Sequence, residues 1–151
     1  MVALDTDVLV LGFAFQRDDR QTANKNFLSR VFDKNPATTV YNLVEFLGQM
    51  SFNLSAKRLS EWRSWLVDEY NLTVLFPQAR PEQSADSFYR NEIFERAFAK
   101  ISKEKMAYLD ALILDLAERT PNVEHFVTWN AKHFKNKTAL HVVTPEEFLQ
   151  L

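Results

Sequence analysis

Three carboxylates stand where the surrounding residues are apolar. Asp5 follows Val2-Ala3-Leu4, Glu45 lies inside Leu43-Val44-Glu45-Phe46-Leu47, and Asp110 falls among Met106, Leu109, Ile113, Leu116 and Ala117 at helical spacing. A charge in such a setting is costly unless it is paired or bound to a metal. Each has a plain structural reading as well. Asp5 serves equally as a turn or cap acid, Glu45 as the solvent-facing position of an amphipathic helix, and Asp110 as a buried acid bonded to a helix N-terminus or an arginine. Together they make another chemistry available. Clustered carboxylates bind hard divalent cations such as Mg²⁺ or Mn²⁺ and leave water in the coordination sphere. Such an ion orients a water and neutralises a phosphate, which suits phosphodiester hydrolysis. Three adjacent carboxylates do not all stay ionised without one.

Bringing acids at positions 5, 45 and 110 together requires elements that end at one place. Val2–Leu4 reads as a buried strand, followed by a turn or short helix through Asp7 to Gly12. Gln21–Lys34 has a helical stripe of Ala23, Phe27, Leu28, Val31 and Phe32, and Asn35-Pro36 stops it. Ala37–Tyr41 predicts a strand, with Asn42 capping a helix from Leu43 to about Asn53. Ser55 caps a helix over Ala56–Tyr70, and Leu72–Phe76 reads as a strand closed by Pro77. Helices are expected over Pro81–Ser102 and Lys103–Arg119, strands at Val123–Thr128 and Leu140–Val143, and a short helix at Pro145–Leu149. Strands alternating with helices imply an α/β fold with a mostly parallel sheet covered on both faces. Ligands in such sheets bind beyond the carboxyl ends of the strands, where acids following strands belong.

Composition narrows the chemistry further. The 151 residues suit one domain, 1–151, and 46% hydrophobic with 25% charged residues is a globular composition. The absence of cysteine removes thiol catalysis, disulfides and thiolate-ligated metals, and three histidines leave little for a histidine-rich centre. Only Gly12 and Gly48 are present, so no glycine-rich phosphate cradle exists. A net charge of -2 does not indicate a strongly basic nucleic-acid-binding module, though a local patch suffices for contact. No run approaches ~18 apolar residues, the minimum for a membrane span. The opening Met1–Asp5 has no basic region, so no secretory signal is expected and a cytoplasmic location is the simplest reading.

At this point the sequence resembles the PIN-domain ribonucleases, most closely the VapC-type toxins of toxin–antitoxin pairs. The resemblance rests on five motifs in order: Leu4-Asp5-Thr6-Asp7-Val8, Thr39-Val40-Tyr41-Asn42-Leu43-Val44-Glu45, Asp110-Ala111-Leu112-Ile113, Val127-Thr128-Trp129-Asn130-Ala131-Lys132-His133-Phe134, and Val143-Thr144-Pro145-Glu146-Glu147-Phe148-Leu149. It implies a three-layer α/β/α sandwich and a metal-dependent RNase site. In that site Asp5, Glu45 and Asp110 are the metal ligands, Asn130 assists catalysis, and Thr6 supports by hydrogen bonding. It also implies a homodimer and an antitoxin partner. One departure stands in the fourth motif, which often supplies another acid. Here the position is Asn130, and the later position that can hold an Asp before Phe is His133. An amide oxygen can still ligate a metal or bond a water, and the number of metals stays open.

Lys132, His133, Lys135 and Lys137 follow Asn130 and form either a solvated loop or a phosphate-binding rim for RNA. Leu59, Trp62, Leu66 and Tyr70 follow helical spacing and are expected in the core, while Trp65 lies off that stripe and reads as an exposed anchor for a dimer or a peptide. Three classes of function therefore stand: a Mg²⁺- or Mn²⁺-dependent endoribonuclease, a degenerate PIN-like module that binds RNA or protein without cleaving, and a homodimeric scaffold.

Overall fold

The structure is a computed structural model that describes all 151 residues. In chain order its elements are β1 (Val2–Leu4), α1 (Thr6–Ala14), α2 (Gln21–Val31), β2 (Pro36–Thr39), α3 (Val40–Met50), α4 (Ala56–Ser60), a π-helical segment (Arg63–Asp68), β3 (Thr73–Leu75), α5 (Ala85–Arg90), a second π-helical segment (Asn91–Glu95), α6 (Arg96–Glu104), α7 (Tyr108–Arg119), β4 (His125–Val127), α8 (Ala131–Phe134), β5 (His141–Val143) and α9 (Pro145–Leu149). The five strands form one sheet in the order β3-β2-β1-β4-β5. Every pairing is parallel, so the expected sandwich is present and its sheet is parallel throughout.

Successive residues of a strand face opposite sides, and the two cores follow from that. Val2 and Leu4 face a cluster with Phe27, Phe46, Leu66 and Phe148, while Ala3 faces a second cluster with Ala37, Ile113, Leu114, Phe126 and Phe134. Gly12 sets the approach of α1 to α2, because a Cβ there would meet Leu28 Cδ1 at 2.9 Å. From central β1 the chain builds β2 and β3 on one side, then places β4 and β5 on the other. The strand order reverses beside β1, and a crevice opens there beyond the carboxyl ends.

Several boundaries differ from the sequence expectation, each for a local reason. The second strand ends at Thr39, not Tyr41, because Thr39 rather than Asn42 caps α3. Thr39 Oγ1 accepts from the Asn42 backbone N–H at 3.2 Å, and the Asn42 side chain accepts from the Thr39 N–H at 3.4 Å. This reciprocal box overrides the strand preference of Val40 and Tyr41. The helix foreseen from Pro81 begins after Ser84, whose side chain takes the Ser87 N–H at 3.3 Å. The helix foreseen from Lys103 begins at Tyr108, because Lys105 turns left-handed at φ 53° and ends α6. Asp115, off the buried stripe of α7, pairs with Arg119 at 2.9 Å.

Trp65 is a correction of substance. It is only 6% exposed, packs its ring 4.6 Å from that of Phe13, and donates Nε1–H to the Arg58 carbonyl at 2.7 Å. The helical wheel that placed it outside assumed α-spacing. The π-helical segment Arg63–Asp68 widens each turn and rotates Trp65 inward beside Leu66. The apolar residues left outside lie elsewhere: Phe94 and Phe98 stack at 5.6 Å and are 59% and 57% exposed. No helix is long and apolar enough to cross a membrane.

Burial of Trp65 sets a stability expectation. Trp65→Ala should cost about 3–5 kcal/mol in urea denaturation, the range for emptying a large aromatic site. Trp62→Ala, at the partly exposed edge of the same core, should cost clearly less. Equal losses would contradict the inward turn of the π-helical segment.

Candidate active site

The crevice is built from strand ends and helix starts. Asp5 follows β1 and caps α1: Oδ1 accepts the Thr6 N–H at 2.8 Å and Asn42 Nδ2–H at 3.0 Å. The same Asn42 amide donates to Thr6 Oγ1 at 3.0 Å, and Thr6 Oγ1–H donates to Glu45 Oε2 at 2.5 Å. The capping box at the start of α3 thus extends its reach to Asp5, and Thr6 links Asp5 to Glu45. Asp110 lies in the first turn of α7, half-buried, with Oδ2 3.2 Å from His133 Nε2. The partner of Asp110 is therefore a histidine from α8, neither a helix end nor an arginine.

Asp5, Asp7, Glu45 and Asp110 line one cleft of about 330 Å³, together with Thr6 and Asn130. The structure brings the sequence-read acids to one place and adds Asp7. Asp7 Oδ2 accepts Thr128 Oγ1–H at 3.0 Å and the Asn130 N–H at 3.2 Å. Its Oδ1 is buried with no hydrogen-bond partner. Asp7 was legible only as the fourth residue of the first motif, since its burial depends on residues more than a hundred positions away. Asn42 and Thr128 were likewise invisible as site residues, because their roles are contacts between strand ends.

Of the basic residues after Asn130, none lines the cleft. Lys135 Nζ is paired with Glu147 at 2.9 Å, Lys137 Nζ donates to the Lys105 carbonyl at 3.3 Å, and Lys132 is exposed. His133 meets the cleft only through Asp110. The cation among the lining residues is Arg20, which no sequence pattern marked.

The electrostatics of the cleft are unbalanced. Burial, helped by the charges of Asp7 and Glu45 and opposed by the Thr6 N–H, pushes the Asp5 carboxyl up to about 7. Burial also raises Asp7, against hydrogen bonds from Thr128 and Asn130. Helix starts favour negative charge, yet here they do not offset desolvation. The donor set is all hard oxygen, and an orphaned carboxylate oxygen lies within it, which fits Mg²⁺ or Mn²⁺ better than a soft metal. No three acid or histidine side chains stand close enough to enclose one ion, since Thr6 holds Glu45 and His133 holds Asp110.

The fold has known counterparts. Over 96% of this chain and 98% of the other, it matches a chain of a toxin–antitoxin complex from Klebsiella pneumoniae at 20% identity and TM-score 0.59. It matches a chain of VapBC2 from Rickettsia felis, bound to a DNA fragment from their promoter, over 95% and 98% at 19% identity and TM-score 0.63. FitAcB from Neisseria gonorrhoeae matches over 96% and 98% at 13% identity and TM-score 0.61. At these identities the likeness is one of fold, and the chain has a VapC-like PIN toxin fold. No family model matches the sequence, and no curated protein matches it.

The raised Asp5 sets a pH dependence. An acid whose folded pKa exceeds its unfolded value binds its proton more tightly when folded, so stability falls as pH rises between the two values. Between pH 5 and 8 the metal-free protein should lose roughly 5 °C of melting temperature, about 2 kcal/mol for a domain of this length. Asp7 acts in the same sense, while His125, whose pKa burial lowers, acts in the opposite one. The diagnostic quantity is therefore the difference from Asp5→Asn, which should lose less over that range. Identical pH profiles would exclude the strained Asp5.

Proposed function

We propose that the chain is a Mg²⁺- or Mn²⁺-dependent endoribonuclease, acting as the toxin of a toxin–antitoxin pair. The observation that carries this reading is the meeting of Asp5, Asp7, Glu45 and Asp110, from separate elements, in the cleft at the sheet's switch point. Asp5, Glu45 and Asp110 are the residues to hold the ion, with Asn130 at the rim. A divalent cation bound there supplies Lewis acidity, an activated water and neutralisation of the phosphate. The chain's own part is positioning. Asn42 and Thr6 fix the carboxylates of Asp5 and Glu45 through hydrogen bonds. Thr128 fixes Asp7, and the Asn130 N–H holds the start of α8 against it. His133 Nε2 holds Asp110 Oδ2 at 3.2 Å.

The partners follow from the same reading. RNA is the substrate, and the PIN-type toxin fold shared with chains of toxin–antitoxin complexes supports an antitoxin. The exposed stack of Phe94, on the second π-helical segment, with Phe98, on α6, supports an association between copies, in line with the expected homodimer. A second reading, a module that binds without cutting, draws support from the neutral Asn130 and from acids drawn towards Thr6 and His133.

Isothermal titration with Mn²⁺ and RNA cleavage with and without chelator decide between them. Wild type should bind Mn²⁺ and cut RNA only with metal. Asp110→Asn should weaken Mn²⁺ binding at least tenfold and abolish cutting. Metal-indifferent wild type, by titration and by melting temperature up to millimolar Mg²⁺ or Mn²⁺, would sink the three-acid site. Metal binding without cleavage of any RNA would select the degenerate module.

A further inference from the structure

The residues that join α1 to α2 enter the same cleft from its outer side. Phe15 closes α1 and Arg20 precedes α2, and both line the cleft with the four acids. Arg20 is the one cation lining it. Its guanidinium does not wander. Nε–H and Nη2–H donate to the two carboxylate oxygens of Asp18 at 2.9 and 2.8 Å, and its carbon lies 5.5 Å from the centre of the Trp129 ring. Trp129 is fixed in turn by Nε1–H to Asn24 Oδ1 at 2.8 Å, and buried Asn24 donates to the Val8 carbonyl at 3.0 Å. A guanidinium has five N–H donors, and Asp18 takes two of them, so three remain without a protein partner.

An exposed ion pair contributes little to stability by itself. What the arrangement does is hold a planar cation, with donors to spare, beside a cleft that is otherwise acidic. Phosphate is the anion whose geometry a guanidinium fork matches. Phe15 adds an independent feature: its ring is 55% exposed at the lip of that polar cleft. A basic group tracking the backbone beside an aromatic face for a base is how proteins hold single-stranded nucleic acid.

We infer that the Phe15–Arg20 connection is the wall that holds the substrate strand, Arg20 taking a backbone phosphate of single-stranded RNA and Phe15 stacking a base. This assignment rests on the ribonuclease reading. It moves phosphate recognition from the cluster at Lys132–Lys137 to a segment on the other side of Trp129.

The test is binding of a 2′-O-methyl RNA oligonucleotide, which resists cleavage, in Mn²⁺ over a series of salt concentrations. Arg20→Gln should weaken binding about tenfold and reduce the slope of log affinity against log salt by ~0.7, the value for one single-strand phosphate contact. Arg20→Lys should keep the slope and recover only part of the affinity, since a lysine cannot form the fork. Phe15→Ala should weaken binding about tenfold with the slope unchanged, as for lost stacking. All three variants should bind Mn²⁺ within twofold of wild type and melt near its temperature. Wild-type affinity and slope in Arg20→Gln overturn the assignment while leaving the ribonuclease reading intact. Loss of Mn²⁺ binding or of stability in the Arg20 variants also overturns it, by making the residue structural. A wild type that binds Mn²⁺ but no RNA overturns both readings together.

Discussion

Four carboxylates share one cleft, and the fold holds two of them, Asp5 and Asp7, there against the cost of burying their charge. A parallel sheet brings the carboxyl end of every strand to one edge, because each crossover carries the chain back to the opposite edge before the next strand begins. Residues as far apart as Asp5 and Asp110 therefore meet without any long-range sequence signal. Asp5 follows β1, and Asp7 and Asp110 lie in the first turns of α1 and α7, where free backbone N–H groups favour negative charge, while Glu45 lies further along α3. The remaining strain shows in the upward displacement of Asp5 and Asp7.

Within that edge, one hydrogen-bonded chain carries the precision. Thr39 caps α3, its box partner Asn42 reaches Asp5 and Thr6, and Thr6 reaches Glu45. The backbone capping of one helix and the orientation of two site acids are thus the same set of contacts. A change at Asn42 would loosen the start of α3 and free Asp5 together, because a single amide serves both.

The layered fold was legible in the sequence because alternating apolar runs and helical stripes do not depend on distant contacts. Asp5, Glu45 and Asp110 were legible as charges set against that pattern. Asp7 was not, since its burial comes from Thr128 and Asn130, 121 and 123 residues on. Trp65 was misread for the opposite reason: the stripe was visible, but a π-helical segment rotated the face beneath it. Asn42 was seen as a cap yet stands three residues inside the box, because Thr39 competes for the same role with better geometry. Arg20 lies in a connection without periodicity, and only its stacking on Trp129 gives it a place in the cleft. The fold survives at 20% identity or less to the solved chains it resembles, as expected when pattern and volume decide topology and a few polar contacts decide the site.

The neutral residue at position 130 takes on a different meaning beside Asp7. The cleft does not lack a fourth negative charge; it receives that charge from the first turn of α1 rather than from the loop after β4. Asp7 Oδ2 accepts the backbone N–H of Asn130, which ties the start of α8 to α1. An acid at 130 as well would add a further negative group to the cleft that both residues line, where Asp5 is already pushed up by burial and its neighbours. An amide at 130 avoids that repulsion and keeps an oxygen available as a ligand. Asp7 and Asn130 are therefore best understood as one unit, with the charge on α1 and the neutral donor at the start of α8.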